Sequence, residues 1–204
     1  MSHLEKFKSQ TLVASPLEID DLDFGYGKSE FNHKEYLKNR ESSRLIHSFT
    51  DQLGLYKAAS DHFFVFDDSK KTILYSAKYG VISFLGYRFV VQKQIWRSPV
   101  LTQKLEGMSI PTYVFFKHLL PMADGVGIVT DAMQTASGKR FWFDRVAQAF
   151  EQKLNVYLMD RTNKTKIKIR NFDEFEAKIE DEKTWASDDN SSLNRRVVIS
   201  KKML

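Results

Sequence analysis

The chain has no cysteine among its 204 residues. That absence removes disulfide frameworks, thiolate zinc sites, iron–sulfur clusters and cysteine nucleophiles together. Proline is scarce at 4 and glycine at 9, which excludes collagen-like and low-complexity chains. No apolar run approaches the roughly 20 residues that span a bilayer, and Met1 to Lys6 carries no signal-peptide core. We therefore expect a soluble, cytoplasmic protein with no membrane partner. The histidines, His3, His33, His47, His62 and His118, lack ligand spacing, so no metal is expected. Walker loop, Rossmann fingerprint and nucleophile elbow are also missing, which sets aside nucleotide hydrolysis and serine-hydrolase chemistry.

What is present suits a folded core. Hydrophobic residues make up 42% and aromatics 13% against 28% charged, and the length fits one domain with an appendage. The formal charge of +5 and a pI near 9.2 are a mild basic excess. Basic residues gather at 164–170 (KTKIKIR), at Lys139-Arg140, and at Arg195-Arg196 with Lys201-Lys202, offset by acidic runs at 18–23 and 174–189. This balance points to an anionic ligand without naming it.

Residues 1–32 lack sustained periodicity and read as an irregular N-terminal segment, leaving 33–204 as a single domain. Leu45, Ile46, Phe49, Leu53 and Tyr56 recur at helical spacing, so a first helix is expected over 33–53. A hairpin follows at 62–66 and 72–77, turned by Asp67-Asp68-Ser69-Lys70, and a further strand at 87–96 completes a three-stranded antiparallel meander. Phe89, Val91 and Ile95 should share one face of that last strand, with Arg88, Gln92 and Gln94 on the other. Trp96 with Arg88, Gln92, Gln94 and Arg97 would then form an aromatic and basic face, suited to a groove or simply to the polar side of a sheet.

Ser109 and Pro111 open a second helix with Phe115, Leu119 and Met122 on one side. Residues 125–130 read as a strand, 131–138 as a polar loop, and Trp142, Val146, Ala149 and Phe150 as an amphipathic helix. A strand at 154–160 completes a β-α-β unit whose two strands should lie near one another. Strand residues 165–170, a helix capped by Asn171 and Glu174 and running to about Trp185, a polar loop at 187–192 and a last strand near 196–200 close the chain.

This succession of elements resembles the GNAT superfamily of acyl-CoA N-acyltransferases over residues 33–200. In that family the cofactor loop between the fourth strand and third helix reads Gln or Arg, two variable residues, Gly, one variable residue, then Gly or Ala. Here Gln134-Thr135-Ala136-Ser137-Gly138-Lys139-Arg140 keeps the glutamine, puts Ser137 and Lys139 at the glycine positions and displaces Gly138 by one. The resemblance implies acetyl-CoA or another acyl-CoA as cofactor, with its pantetheine arm paired to the backbone of Ile128, Val129 and Thr130. It also implies an acid tyrosine on the helix that follows the next strand, but residues 171–185 contain none.

Independently of the family, a helix that starts after a small, polar loop presents unpaired amides and a positive dipole end to phosphate, and Lys139 and Arg140 add charge there. The same residues also serve as helix cap and solvated surface. Acyl transfer needs proton acceptance from the amine and oxyanion stabilisation. Asp131 is the first candidate base, followed by Tyr157 and His118; each of the three also fits an ordinary structural role.

We expect, then, an α/β (α+β) single domain, with a mixed, mostly antiparallel sheet flanked by helices. The expected activity is that of a transferase acting on a small-molecule, protein or nucleobase amine acceptor. The alternative is a non-catalytic GNAT-like binding protein, of the kind phages and mobile elements encode, that contacts nucleic acid or a host protein through 164–170 and 196–202.

Overall fold

Short segments rich in β-branched and aromatic residues, separated by tight turns, build the first half of the protein. In the computed structural model, which describes residues 29–59, 61–123, 126–130, 136–181 and 194–204, helix α1 (Ser29–Arg40) precedes β1 (Ser43–Thr50), β2 (Leu53–Ala58), β3 (His62–Asp67), β4 (Thr72–Phe84) and β5 (Tyr87–Arg97). These five strands form an antiparallel meander rather than the three expected. The helix expected over 33–53 is corrected accordingly: it starts at Ser29 and stops at Arg40, and Leu45, Ile46 and Phe49 belong to β1. Their spacing is compatible with a helix, but Ser43–Thr50 finds backbone partners along β2, and tertiary pairing outweighs local periodicity.

A two-strand hairpin, β6 (Lys104–Leu105) and β7 (Met108–Ser109), leads into α2, which is α-helical over Ile110–Tyr113, π-helical over Val114–Leu119 and α-helical again over Leu120–Met122. The wider π turn shifts the phase, so Phe115 and Leu119 are buried whereas Met122 is 41% exposed. Ser109 bonds the Thr112 hydroxyl at 2.7 Å instead of capping an amide. Then come β8 (Ile128–Val129), α3 (Ala136–Glu151), β9 (Asn155–Asp160), β10 (Thr165–Ile169), α4 (Phe172–Asp181) and β11 (Arg195–Ser200). At the start of α4 the Asn171 side chain accepts from the Glu174 amide at 2.8 Å, and the Glu174 carboxylate accepts from the Arg170 amide.

The sheet order is β1-β2-β3-β4-β5-β8-β11-β9-β10, with β5 and β8 parallel and every other pair antiparallel. The strands flanking α3 lie near one another as expected, β8 and β9 each running antiparallel to β11, which sits between them. The directly adjacent parallel pair is β5 and β8, linked through α2. Gly127, at φ 138°, lets β11 approach the start of β8: a Cβ there would sit 2.6 Å from the Ile199 carbonyl oxygen.

Helices α2, α3 and α4 cover one face of the sheet, where Phe115 packs edge-on to Trp142 with ring centroids 5.6 Å apart and Phe143 meets Phe175 at 5.2 Å. Helix α1 covers the meander on the other face, through Tyr36 against Phe66, Tyr56, Phe64 and Ile73. A third apolar cluster, Phe89, Val91, Val129, Tyr157, Met159 and Val198, continues that second face across the other half of the sheet. The mixed, mostly antiparallel sheet flanked by helices is thus as expected.

Candidate functional site

Strands β5 and β8 run side by side only at Val90 with Ile128 and Val91 with Val129. Beyond that, β5 continues to Arg97 while β8 stops at Val129. Carboxyl ends of neighbouring parallel strands are where open α/β sheets form ligand crevices, because the connections leave the sheet there. Gln92 occupies this place. It is 2% exposed, and neither Nε2 nor Oε1 has a hydrogen-bond partner among the described residues.

A bulge follows Gln92, which shares the helix-covered face of Val90 by plain alternation. The β4–β5 register slips between Lys78 and Tyr79, so Tyr79 faces Gln92 and Lys78 faces Gln94, with Lys93 as the extra residue. Ile95 consequently joins Val90 in the helix-covered core, while Phe89 and Val91 face the opposite cluster. Phe89 and Val91 thus share one face as expected, and Ile95 is corrected to the other. The aromatic and basic face is corrected too: Trp96 packs beside Phe64 and Phe66 on the side away from Gln92.

Thr130 follows β8 and is fully buried; its amide donates to the Val197 carbonyl at 3.0 Å and its hydroxyl accepts from the Val197 amide at 3.1 Å. With β5 on one side of Ile128 and Val129 and β11 on the other, that strand has no free edge, so the expected pairing of a pantetheine arm with Ile128, Val129 and Thr130 is corrected. Asp131, Gln134 and Thr135 lie outside the described residues. Ala136 and Ser137 form the first turn of α3, Gly138 is buried, and Lys139 and Arg140 are half-buried in the next positions.

One turn further, Arg145 points into the core. It is 5% exposed, its guanidinium lies 4.4 Å from the Phe141 ring centroid, and it donates to the Gln148 side chain at 3.3 Å. Burial lowers it to about 10 despite the nearby Asp144. Burial likewise raises Asp144, opposed by Arg145 and Arg140. Arg145 Nε and the fully buried Tyr75 hydroxyl have no hydrogen-bond partner among the described residues. The first half of α3 thus carries three cations, Lys139, Arg140 and Arg145, a positive environment of the kind a phosphorylated ligand needs.

The other two candidate catalytic residues are elsewhere. Tyr157 sits on β9, beyond β11, on the face away from α2 to α4, and its hydroxyl accepts from the Leu204 amide at 3.0 Å. His118 sits on α2 between Phe63 and Tyr113, with ring centroids 5.4 and 5.5 Å away, and burial lowers its pKa, helped by Lys57. Phe63 belongs to β3, two strands before β5, so His118 and Tyr157 do not meet. Sequence reasoning missed Gln92 and Arg145. Gln92 reads as a solvated strand residue because nothing local shows that both faces of β5 are covered, whereas Arg145 is legible as a charge beside Trp142 and Val146 on the apolar stripe of α3.

In comparisons with protein-family models, curated proteins and solved structures, nothing matches the chain. Among the described residues no group of histidine, aspartate and glutamate is arranged to hold a metal ion, and no helix is long and apolar enough to cross a membrane.

Proposed function

We propose that the chain is an acyl-CoA-dependent N-acyltransferase, which carries an acetyl or other acyl group to an amine, with its coenzyme across the crevice beyond β5 and β8. The observation that supports this reading is the Gln92 side chain. A buried primary amide with neither end paired among the described residues is costly, and a ligand that donates and accepts removes the cost. The amide-bearing arm of coenzyme A is such a ligand. Its pyrophosphate would rest on residues 134–140, where α3 begins and Lys139 and Arg140 supply charge.

The coenzyme, when bound, would supply an activated thioester: the amine nitrogen bonds the acyl carbon, the C–S bond breaks, and the coenzyme leaves as its thiol with a proton equivalent to the one the chain accepts from the amine. Asp131 follows Thr130 directly in the sequence, so it is the carboxylate assigned to that step. His118 and Tyr157 have no part in it, since each faces a different region of the fold.

Thermal melting with acetyl-CoA, propionyl-CoA and free CoA tests the proposal. A ligand at one hundred times its Kd adds about 2.7 kcal/mol, or roughly 5–10 °C for a chain of this size. Gln92→Leu, and Lys139→Ala combined with Arg140→Ala, should each shrink the shift. Asp131→Asn should keep the shift and lose turnover. No shift with any of the three compounds would end the proposal.

A further inference from the structure

The basic cluster at 164–170 has no role in the crevice, because β10 is the edge strand at the far end of the sheet. Lys166 pairs with Met159 and Lys168 with Tyr157 across the β9–β10 ladder, so both lysines stand on the face opposite α2 to α4. There a cavity of about 690 Å³ opens between two hairpins. Tyr87 and Met159 contribute its aromatic and apolar lining, and Arg161, Lys164 and Lys166 its cationic lining.

Both hairpins are built to hold these groups in place. The β4–β5 turn is Leu85-Gly86, at φ 48° and 82°, and it directs Leu85 and Tyr87 to the cavity. A leucine in this left-handed region costs about 1–2 kcal/mol, so the turn is kept at a cost to stability. The β9–β10 turn is braced by the Asp160 carboxylate. It accepts from the Thr162 and Asn163 amides at 2.8 and 3.1 Å, from the Asn163 side chain at 3.0 Å and from Arg195 Nε at 3.0 Å. Arg161 and Lys164 flank that braced segment. Lys166 Nζ donates to the Tyr87 hydroxyl at 3.0 Å, joining the two hairpins.

Among the described residues the charge is uncompensated. Arg161, Lys164, Lys166 and Lys168 are exposed, and none of them forms an ion pair among the described residues. The nearby carboxylate of Asp160 is already held by Arg195. Lysines on an edge strand also discourage strand addition, but that purpose requires neither an aromatic-lined cavity nor the braced Arg161. Alternate residues of a strand stand about 6.8 Å apart, a step comparable to that between successive phosphates of an extended single strand.

We propose that this groove binds single-stranded nucleic acid, with phosphates along Lys164, Lys166 and Lys168 and a base against Tyr87 and Met159. A duplex is the poorer fit, because its bases are stacked within the helix and cannot enter the cavity. The inference is independent of the acyltransferase proposal.

Fluorescence anisotropy of the full chain with a labelled oligo(dT) of about 20 nucleotides tests it. Binding should weaken linearly on a log–log plot against salt, with slope near −2 for about three phosphate contacts to a single strand. Lys164→Gln, Lys166→Gln and Lys168→Gln together should reduce affinity at least about tenfold and flatten that slope. Tyr87→Leu should weaken binding about fivefold or more at unchanged slope, since it removes stacking but no charge. Circular dichroism melting checks that each variant is folded, and the triple variant should retain any acetyl-CoA shift of the native chain. Three results would each overturn the inference: no binding at low salt, equal binding by the native and triple-variant chains, or displacement by polyglutamate at matched charge with no effect of Tyr87→Leu.

Discussion

Two polar regions on opposite sides of the sheet differ in how completely they are satisfied. Beneath α1, Asp68 accepts from Tyr36 at 2.8 Å, from Arg40 Nε at 2.8 Å and Nη2 at 2.9 Å, and from Tyr56 at 3.5 Å. Asn32 clasps the backbone of Ile73 with both ends of its amide. On the face covered by α2, α3 and α4, Gln92 has neither end paired, Tyr75 hydroxyl and Arg145 Nε are likewise without hydrogen-bond partners among the described residues, and Arg145 rests on the face of Phe141. The first region has the pattern of polar groups that fix a helix to a sheet. The second has the pattern of polar groups held for something else, because a fold gains nothing from leaving them unpaired.

The largest effect that would sharpen this contrast is the loss of Asp68. Asp68→Ala leaves Arg40 and two tyrosines without their acceptor and should cost about 3 kcal/mol in chemical denaturation. A loss below about 1 kcal/mol would show that the cluster does not secure α1. Hydrogen bonds from Arg40 outweigh burial and hold the Asp68 carboxyl below its usual value. Its contribution is accordingly present above the unfolded pKa of about 4 and is lost as pH falls through the lower folded value.

A second, intermediate effect comes from His62, an unpaired group on the meander side. Burial, and then Lys78, lower its pKa to about 4, and its ring stacks on Phe64 at 4.9 Å. The unfolded chain takes up the proton first, so stability is full above about pH 6.5 and declines by about 2 kcal/mol as pH falls toward 4. Melting temperatures across that range should decline for the native chain and stay flatter for His62→Phe. Parallel curves would remove His62 as the source.

The smallest expected effect is the most diagnostic. Gln92→Leu removes two unpaired polar atoms at nearly constant shape, so stability should be unchanged or rise by up to about 1 kcal/mol. The same change should diminish the acetyl-CoA shift. A loss of more than about 1 kcal/mol would mean that Gln92 is a structural residue like Asn32, and the two regions would no longer differ.

Much of the fold was legible where local chemistry and long-range pairing agree. The β3–β4 turn, α3, β9, β10 and the capped start of α4 all follow from alternation, helical spacing and turn residues in their own segments. Leu45 to Tyr56 misled because the apolar spacing runs across the Asp51-Gln52 turn, from the more exposed β1 into the buried β2. For the candidate site, Lys139 and Arg140 were visible as charges at a helix start. Gln92 was not, since its burial depends on distant segments covering both faces of β5.

By itself, then, the sequence determined a cysteine-free, basic, mixed fold, because composition and short-range patterns act within a few residues. Only the tertiary structure decided that β11 inserts between β8 and β9, that Tyr157 and His118 lie apart, and that Tyr87 meets Lys166 across two hairpins. Those outcomes depend on which strand edges find each other, a choice made by pairing energies between residues far apart along the chain.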